Sequence, residues 1–348
     1  MLQTLALNPG HFLLTIDGSR KTPLPAGDLD GNLLKDEADR DLFSQQFGLS
    51  PRRGNYNLLA DLDRNRYVDR RDRDQFDGVL KSVKTAGPWM SGLWFNPDRD
   101  GEGFHLLVTD DSQAVVAWFT FGVDGRQAWL IGTANVVGSE LIFDSVLITR
   151  GARFGPGFSA QDVVREHWGD LRIFFDDCDH GWVSYSGPSG FANGGHELSR
   201  LSTPMGVDCD AEAVLPTGDA GRYNGIWFDP EQDGAGWFVD QIAEDQAAIT
   251  WFTYDPEGNQ HWMIGVGAIS DETITVDSMQ QTSGARFGSD FDPSQVIRSN
   301  WGRIDLTAAC DSGSLAYEAA VTGFGSGSQN IVPLARIAGQ SCEERQTR

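Results

Sequence analysis

No apolar run in this sequence is long enough to cross a membrane. The longest, about Ala114 to Val123, falls well short of the roughly 20 residues a spanning helix needs. Positive charge is scarce: 27 Lys and Arg stand against 50 Asp and Glu, a formal net charge of −23. So acidic a chain repels nucleic-acid phosphates and anionic lipid headgroups, and neither is expected as a partner. The 41 glycines follow no Gly-X-Y period, which excludes collagen, and 11 Trp with 20 Phe are too many for a disordered chain. There is no Gly-x-Ser-x-Gly, no His-Glu-x-x-His and no phosphate-cradling glycine loop, so the chain is not expected to be an enzyme. Met1-Leu-Gln-Thr lacks a cationic start and no small-residue cleavage site follows, so no signal peptide is expected in this chain.

What is present is duplicated. Ser91-Gly-Leu-Trp-Phe-Asn-Pro returns as Asn224-Gly-Ile-Trp-Phe-Asp-Pro, and Trp118-Phe-Thr-Phe as Trp251-Phe-Thr-Tyr. Trp129 returns as Trp262, Trp168-Gly as Trp301-Gly, and Gly151-Ala-Arg-Phe-Gly155 as Gly284-Ala-Arg-Phe-Gly288, always 133 residues on. A period that long marks two whole domains rather than a solenoid unit.

The four cysteines obey the same duplication: Cys178 and Cys209 lie 31 residues apart, Cys310 and Cys342 lie 32 apart. One disulfide per repeat is expected, and with it an oxidising compartment. Zinc fits worse, since no Cys-x-x-Cys pair exists.

Within each repeat, runs rich in Val, Ile, Phe and Trp are bounded by Gly, Asp and Pro. In the first copy they are Gly103–Val108, Ala114–Phe121, Gln127–Thr133, Leu141–Leu147, Asp170–Phe175 and Gly181–Ser186. About eight strands per repeat predict an antiparallel β-barrel or β-sandwich, similar to avidin or the lipocalins in architecture alone. Ala114–Phe121 and Ala247–Tyr254 are apolar on both faces, so the second face needs a cover: the sister repeat, a partner or a ligand.

The most informative stretch precedes the repeats. Asp28, Asp30, Asn32, Asp36 and Asp39 occupy positions 1, 3, 5, 9 and 12 of a loop, with Leu34 at position 7, where the backbone carbonyl serves. Thirty-three residues later, Asp61, Asp63, Asn65, Asp69 and Asp72, with Tyr67 at position 7, repeat the pattern. Such spacing wraps a hard cation in six or seven oxygens at about 2.3–2.6 Å, and two Ca²⁺ ions are expected. Residues 23–86 hold 12 acidic and 11 basic side chains, so the loops are not the product of a general acidic bias. Helices are predicted over Glu37–Phe47 and Arg70–Val83 from the spacing of Leu42, Phe43, Phe47, Phe76, Leu80 and Val83.

Asp at position 12, a helix only after each loop, and two copies in tandem make this segment resemble a type I dockerin, a paired calcium-loop module of bacterial extracellular proteins. The resemblance implies attachment of the rest of the chain to a scaffold or surface. One departure is position 6, usually Gly for a sharp turn. It is Leu33 or Arg66 here, and positive φ at a non-Gly residue costs about 1–2 kcal/mol. The 133-residue repeats resemble only uncharacterised bacterial secreted repeats.

Together these readings predict a mainly β chain: a strand remnant or linker at 1–22, a small α calcium-loop domain at 23–86, β repeats at 87–212 and 213–343, and a tail at 344–348. His11–Ser19 reads as a lone strand left from an upstream domain, the chain being expected to be processed or a piece of a longer one. Two weaker candidates complete the list. His105 beside Glu102 and Asp100 has the makings of an acid–base cluster, though a barrel-facing or surface role is preferred. Asp98, Asp100 and Glu102, with Asp229, Glu231 and Asp233, have those of a further cation loop, though turn chemistry is preferred. The repeated Trp set offers a sugar-stacking platform, against the commoner core role. The expected function is that of a secreted, non-enzymatic calcium-binding protein. It would be extracellular or at the cell surface, with the periplasm as alternative, and would bind a protein or neutral polysaccharide partner. The competing reading is an accessory region of an extracellular polysaccharide-degrading or other hydrolytic enzyme.

Overall fold

Strands whose side chains alternate with period two build two closed barrels, one from each repeat. The computed structural model describes residues 11–14, 21–24, 27–30, 37–50, 56–77, 86–109, 113–137, 140–175, 177–188, 191, 193–209, 221–288, 291–340 and 342. Barrel 1 comprises β3 (Gly92–Phe95), β4 (Gly103–Val108), β5 (Gln113–Phe121), β6 (Gln127–Val137), β7 (Glu140–Arg150), β8 (Val164–Phe175), β9 (His180–Ser186) and β10 (Asn193–Arg200). Barrel 2 comprises β11 (Gly225–Phe228), β12 (Gly236–Ala243), β13 (Gln246–Tyr254), β14 (Gln260–Ser270), β15 (Thr273–Ser283), β16 (Ile297–Ala308), β17 (Gly313–Ala319) and β18 (Ser326–Ala335). Each strand pairs antiparallel with its chain neighbours, and β3–β10 and β11–β18 close the rings, leaving no free edge.

The barrel centres are packed with indoles. Trp94, Trp118, Trp168, Trp227, Trp237, Trp251 and Trp301 are all at most 2% exposed. Trp118 stacks on Phe104 at 4.8 Å and meets Trp168 and Tyr185 inside barrel 1. The next residue, Phe119, points outward and packs on Trp262 of barrel 2 at 5.0 Å. That is the cover for the second apolar face of β5, and Phe252 against Trp129 answers it from β13.

The two repeats meet as the halves of an isologous dimer do, each contact returned by its counterpart. Trp129 Nε1 donates to Thr253 O and Trp262 Nε1 to Thr120 O. Gln127 Nε2 donates to Trp262 O and Gln260 Nε2 to Trp129 O. Arg165 pairs with Asp233 at 3.0 Å and Arg298 with Asp100 at 2.6 Å. Gly101 and Gly234, both at positive φ, touch Val296 and Val163; a Cβ there would lie 2.7 and 2.8 Å from those side chains.

The repeats also exchange side chains and tails. Phe154, from the first Gly-Ala-Arg-Phe-Gly loop, sits in the core of barrel 2 against Trp251, Tyr317 and Phe324. Phe287, from the second, sits in barrel 1 against Trp118, Tyr185 and Phe191. After β10 the chain crosses to barrel 2, where Met205 N donates to Gln241 O; after β18 it crosses back, and Ala338 N donates to Val108 O. The expected boundary at 212/213 lies outside the described residues.

The N-terminal strand is not alone, as the sequence had suggested. β1 (His11–Leu14) pairs antiparallel with β2 (Lys21–Leu24), which runs across the expected 22/23 boundary. The helices α1 (Glu37–Gln46) and α2 (Arg70–Asp77) follow the two acidic loops; Leu80 and Val83 lie outside the described residues. Phe43, Phe47, Ala60, Val68 and Phe76 form a small core of their own. This module packs on the outer wall of barrel 1, with Phe47 4.6 Å from Trp182 and Arg73 spread over the same indole at 4.2 Å.

Candidate metal sites and buried polar clusters

Both acidic loops draw their first, third and twelfth positions together. Oxygens of Asp28, Asp30 and Asp39 lie within 4.8 Å of one another, as do those of Asp61, Asp63 and Asp72. Ligand oxygens 2.3–2.6 Å from one ion are at most about 5 Å apart, so both groups have the span of a calcium sphere, and an all-oxygen donor set suits a hard cation. The twelfth position is held from behind. Asp39 Oδ1 accepts from Leu29 N and Asp30 N, Asp72 Oδ1 from Asp63 N, and Asp72 Oδ2 from Asp69 N. Asp61 Oδ2 accepts from Tyr56 Oη and Arg66 N, while its Oδ1 is buried without a hydrogen-bond partner. Arg66 takes the position-6 turn at φ 71°, bearing the strain its side chain implies.

The remaining expected ligands divide. Asn32, Leu34 and Asp36 lie outside the described residues. Asp69 is buried and accepts from Arg71 N. Asn65 presents its amide nitrogen to Asp63 and Asp69 and its oxygen to Tyr67 N, so ligation through Oδ1 requires the amide to turn. Burial, with Asp69 and Asp63 nearby, pushes the Asp72 carboxyl up to about 8, and burial raises Asp69 as well. These are the marks of buried, crowded carboxylates.

Barrel 1 supplies a second tier that sequence reasoning missed. Arg172 of β8 lies over the Tyr67 ring at 3.4 Å, 3.9 Å from Asp69 and 3.7 Å from Glu140 of β7. Arg71 reaches Glu140 from α2 at 3.5 Å, and Arg73 pairs with Glu197 of β10 at 2.7 Å. Burial pushes Glu140 up to about 7, with Asp69 adding to the shift. The sole signal for Arg172 in sequence is its place on a strand face; its partner loop lies about a hundred residues upstream.

The disulfides form as expected, Cys178–Cys209 and Cys310–Cys342. Each ties the turn before the last hairpin of its barrel to the segment leaving that barrel. Such bridges persist in oxidising compartments.

The other candidates take different roles. Glu102 immediately precedes β4 and His105 lies within it, and their side chains meet different partners, so they form no cluster. His105 faces barrel 2, where Nε2 meets Asp240 Oδ2 at 2.9 Å and Nδ1 meets Thr250 Oγ1 at 3.1 Å, fully buried. Glu102 turns inward, bound by Arg99 and Thr120 at 2.5 Å each, with His196 Nε2 4.0 Å away. Burial raises Glu102 and lowers His196 to about 3. The acidic turns are turns: Asn96 and Asp229 cap them by accepting from Asp98 N and Glu231 N, and Asp100 and Asp233 serve the inter-barrel ion pairs. The repeated Trp set offers no stacking platform, since all eight members are buried.

No protein-family model matches this chain, and no curated protein is similar to it.

Proposed function

We propose that this is an extracellular, non-catalytic binding protein whose dockerin-like segment is held in shape by two calcium ions. The observation that carries the reading is the duplicated gathering of positions 1, 3 and 12 within 4.8 Å. The buried, unpartnered Asp61 Oδ1 adds to it, because a buried carboxylate oxygen with no donor calls for a cation. Asp28, Asp30 and Asp39 would hold one ion and Asp61, Asp63 and Asp72 the other. The ions supply the positive charge that lets these carboxylates stay ionised together. The disulfides support an extracellular setting.

The segment is braced on barrel 1 through Phe47, Arg73 and Arg172. Calcium would therefore fix the position of the module on the barrel as well as its fold, leaving the rest of its surface for attachment. Calorimetry of the full chain with Ca²⁺ tests this. The expected result is two sites, one lost in Asp39→Ala and the other in Asp72→Ala. Absence of calcium heat, together with an unchanged melting curve, would remove the reading.

A further inference from the structure

Two clefts lie at the seam between the barrels, of about 410 and about 460 Å³. They are counterparts under the 133-residue repeat: Gln127, Asn259 and Gln260 border both, and Thr282 in one answers Thr149 in the other. Beyond that frame their linings have parted. The larger cleft carries Ala128, Ile148, Arg150 and Glu166, with Arg150 and Glu166 closed on each other as an ion pair. At the same four positions the smaller cleft carries His261, Gln281, Ser283 and Ser299. An apolar pair and an ion pair have been replaced by four neutral hydrogen-bonding groups.

The smaller cleft also holds polar groups that the protein leaves unmatched. His261 Nε2 has no hydrogen-bond partner, and neither has buried Thr282 Oγ1. The equivalent Thr149 Oγ1 is satisfied by Tyr254 Oη at 2.9 Å, but the residue answering Tyr254 is Phe121, which has no hydroxyl. Polar groups shut away from water without a partner are costly, and a ligand that matches them recovers that cost. The charges at the rim are already engaged: Arg126 donates to Asn259 Oδ1 and lies 3.6 Å from Asp124, while Asp255 accepts from Glu257 N, Asn259 N and Asn259 Nδ2. Burial lowers His261 to about 4, so its ring is neutral at pH 7 and can accept as well as donate. Gln281 Nε2 donates to Ser299 Oγ at 3.1 Å, and the Gln281 side chain also hydrogen-bonds the His261 ring, so amide, hydroxyl and imidazole form one connected lining.

A cleft of small-molecule size, lined by amides, hydroxyls and a neutral imidazole, suits a ligand with many hydroxyls and no charge. We infer that the cleft formed by His261, Gln281, Ser283 and Ser299 against the Arg126–Gln127 hairpin binds a neutral sugar unit of an oligosaccharide. This deepens the binding-protein reading above and rests on it. The ligand would be held by hydrogen bonds in the cleft, in place of the aromatic stacking that the buried Trp set cannot give.

The test uses the full chain with calcium and five neutral trisaccharides: cellotriose, xylotriose, mannotriose, laminaritriose and chitotriose. Trigalacturonic acid is the charged comparison. Binding is followed by calorimetry and by the NMR signals of the His261 ring and the Gln281 side-chain amide. At least one neutral trisaccharide is expected to bind and to shift both signals. His261→Ala and Gln281→Ile install the residues of the sister cleft and should keep the melting curve while weakening binding about tenfold. Ile148→Gln, in the sister cleft, should leave binding unchanged. Neutral-sugar binding that survives both cleft variants would overturn this site and leave the binding-protein reading standing, as would tight binding of the acidic trisaccharide alone. No binding of any of the six sugars would overturn the inference and count against the wider reading too.

Discussion

Phe154 and Phe287 have exchanged barrels: each leaves the repeat that encodes it and fills the core of the other. Truncating either ring opens a cavity among indoles that cannot close over it. Phe154→Ala and Phe287→Ala should each cost about 3–5 kcal/mol in chemical denaturation of the full chain. A loss below about 1 kcal/mol would mean that the plugs are not part of the cores.

The asymmetric His105–Asp240 pair makes a sharper test of the seam. Removing His105 alone leaves the fully buried Asp240 carboxyl with the Ser202 hydroxyl at 3.2 Å in place of two partners, so His105→Ala should cost about 3 kcal/mol. The sister positions carry Phe238 and Leu107, and the protein already packs those residues there. The double variant His105→Phe with Asp240→Leu should therefore return to within about 1 kcal/mol of the parent, as urea denaturation would show.

Arg172 sets a positive charge beside the second loop, 3.9 Å from Asp69. Like charge opposes a cation, so Arg172→Ala should tighten calcium at that loop by about threefold to tenfold, while loosening the module from barrel 1. Calorimetry reads the first effect. Trp182 fluorescence reads the second, because Trp182 is half-buried at this contact while the other ten indoles are buried.

His196 gives barrel 1 a pH dependence of known sign. Its folded pKa is lowered to about 3, so between about 6.5 and 3 the unfolded chain binds a proton the folded one refuses. Stability contributed by the neutral ring is full above 6.5 and falls as pH drops, by about 1.4 kcal/mol per unit. Glu102, raised by burial, runs the opposite way but is shared by parent and variant. His196→Gln, which installs the Gln329 of barrel 2, should be less acid-sensitive than the parent by about that slope. Equal slopes from pH 6.5 to 4 would refute the assignment.

The repeat, most strands, the helix starts, the disulfide pairing and the spacing of the acidic loops were legible along the chain, because each depends on neighbours or on a fixed period. Gly103–Val108 could be read to the residue, since alternation and bounding turns are local properties. What the duplication could not reveal is that its halves pack as a dimer within one chain. His105 lies on β4 within easy reach of a sequence reading, but its partner Asp240 is 135 positions away. A buried role for Trp129 and Trp262 could be preferred from the chain, but that the sister barrel is what buries them could not. Arg172 and the lining of the seam clefts became visible only when separate strands were laid side by side. Local sequence fixes which groups a strand offers and on which side. Which groups meet across a seam is set by closing the barrels and burying their outer apolar faces, a choice made by the area of both surfaces together and by no single segment.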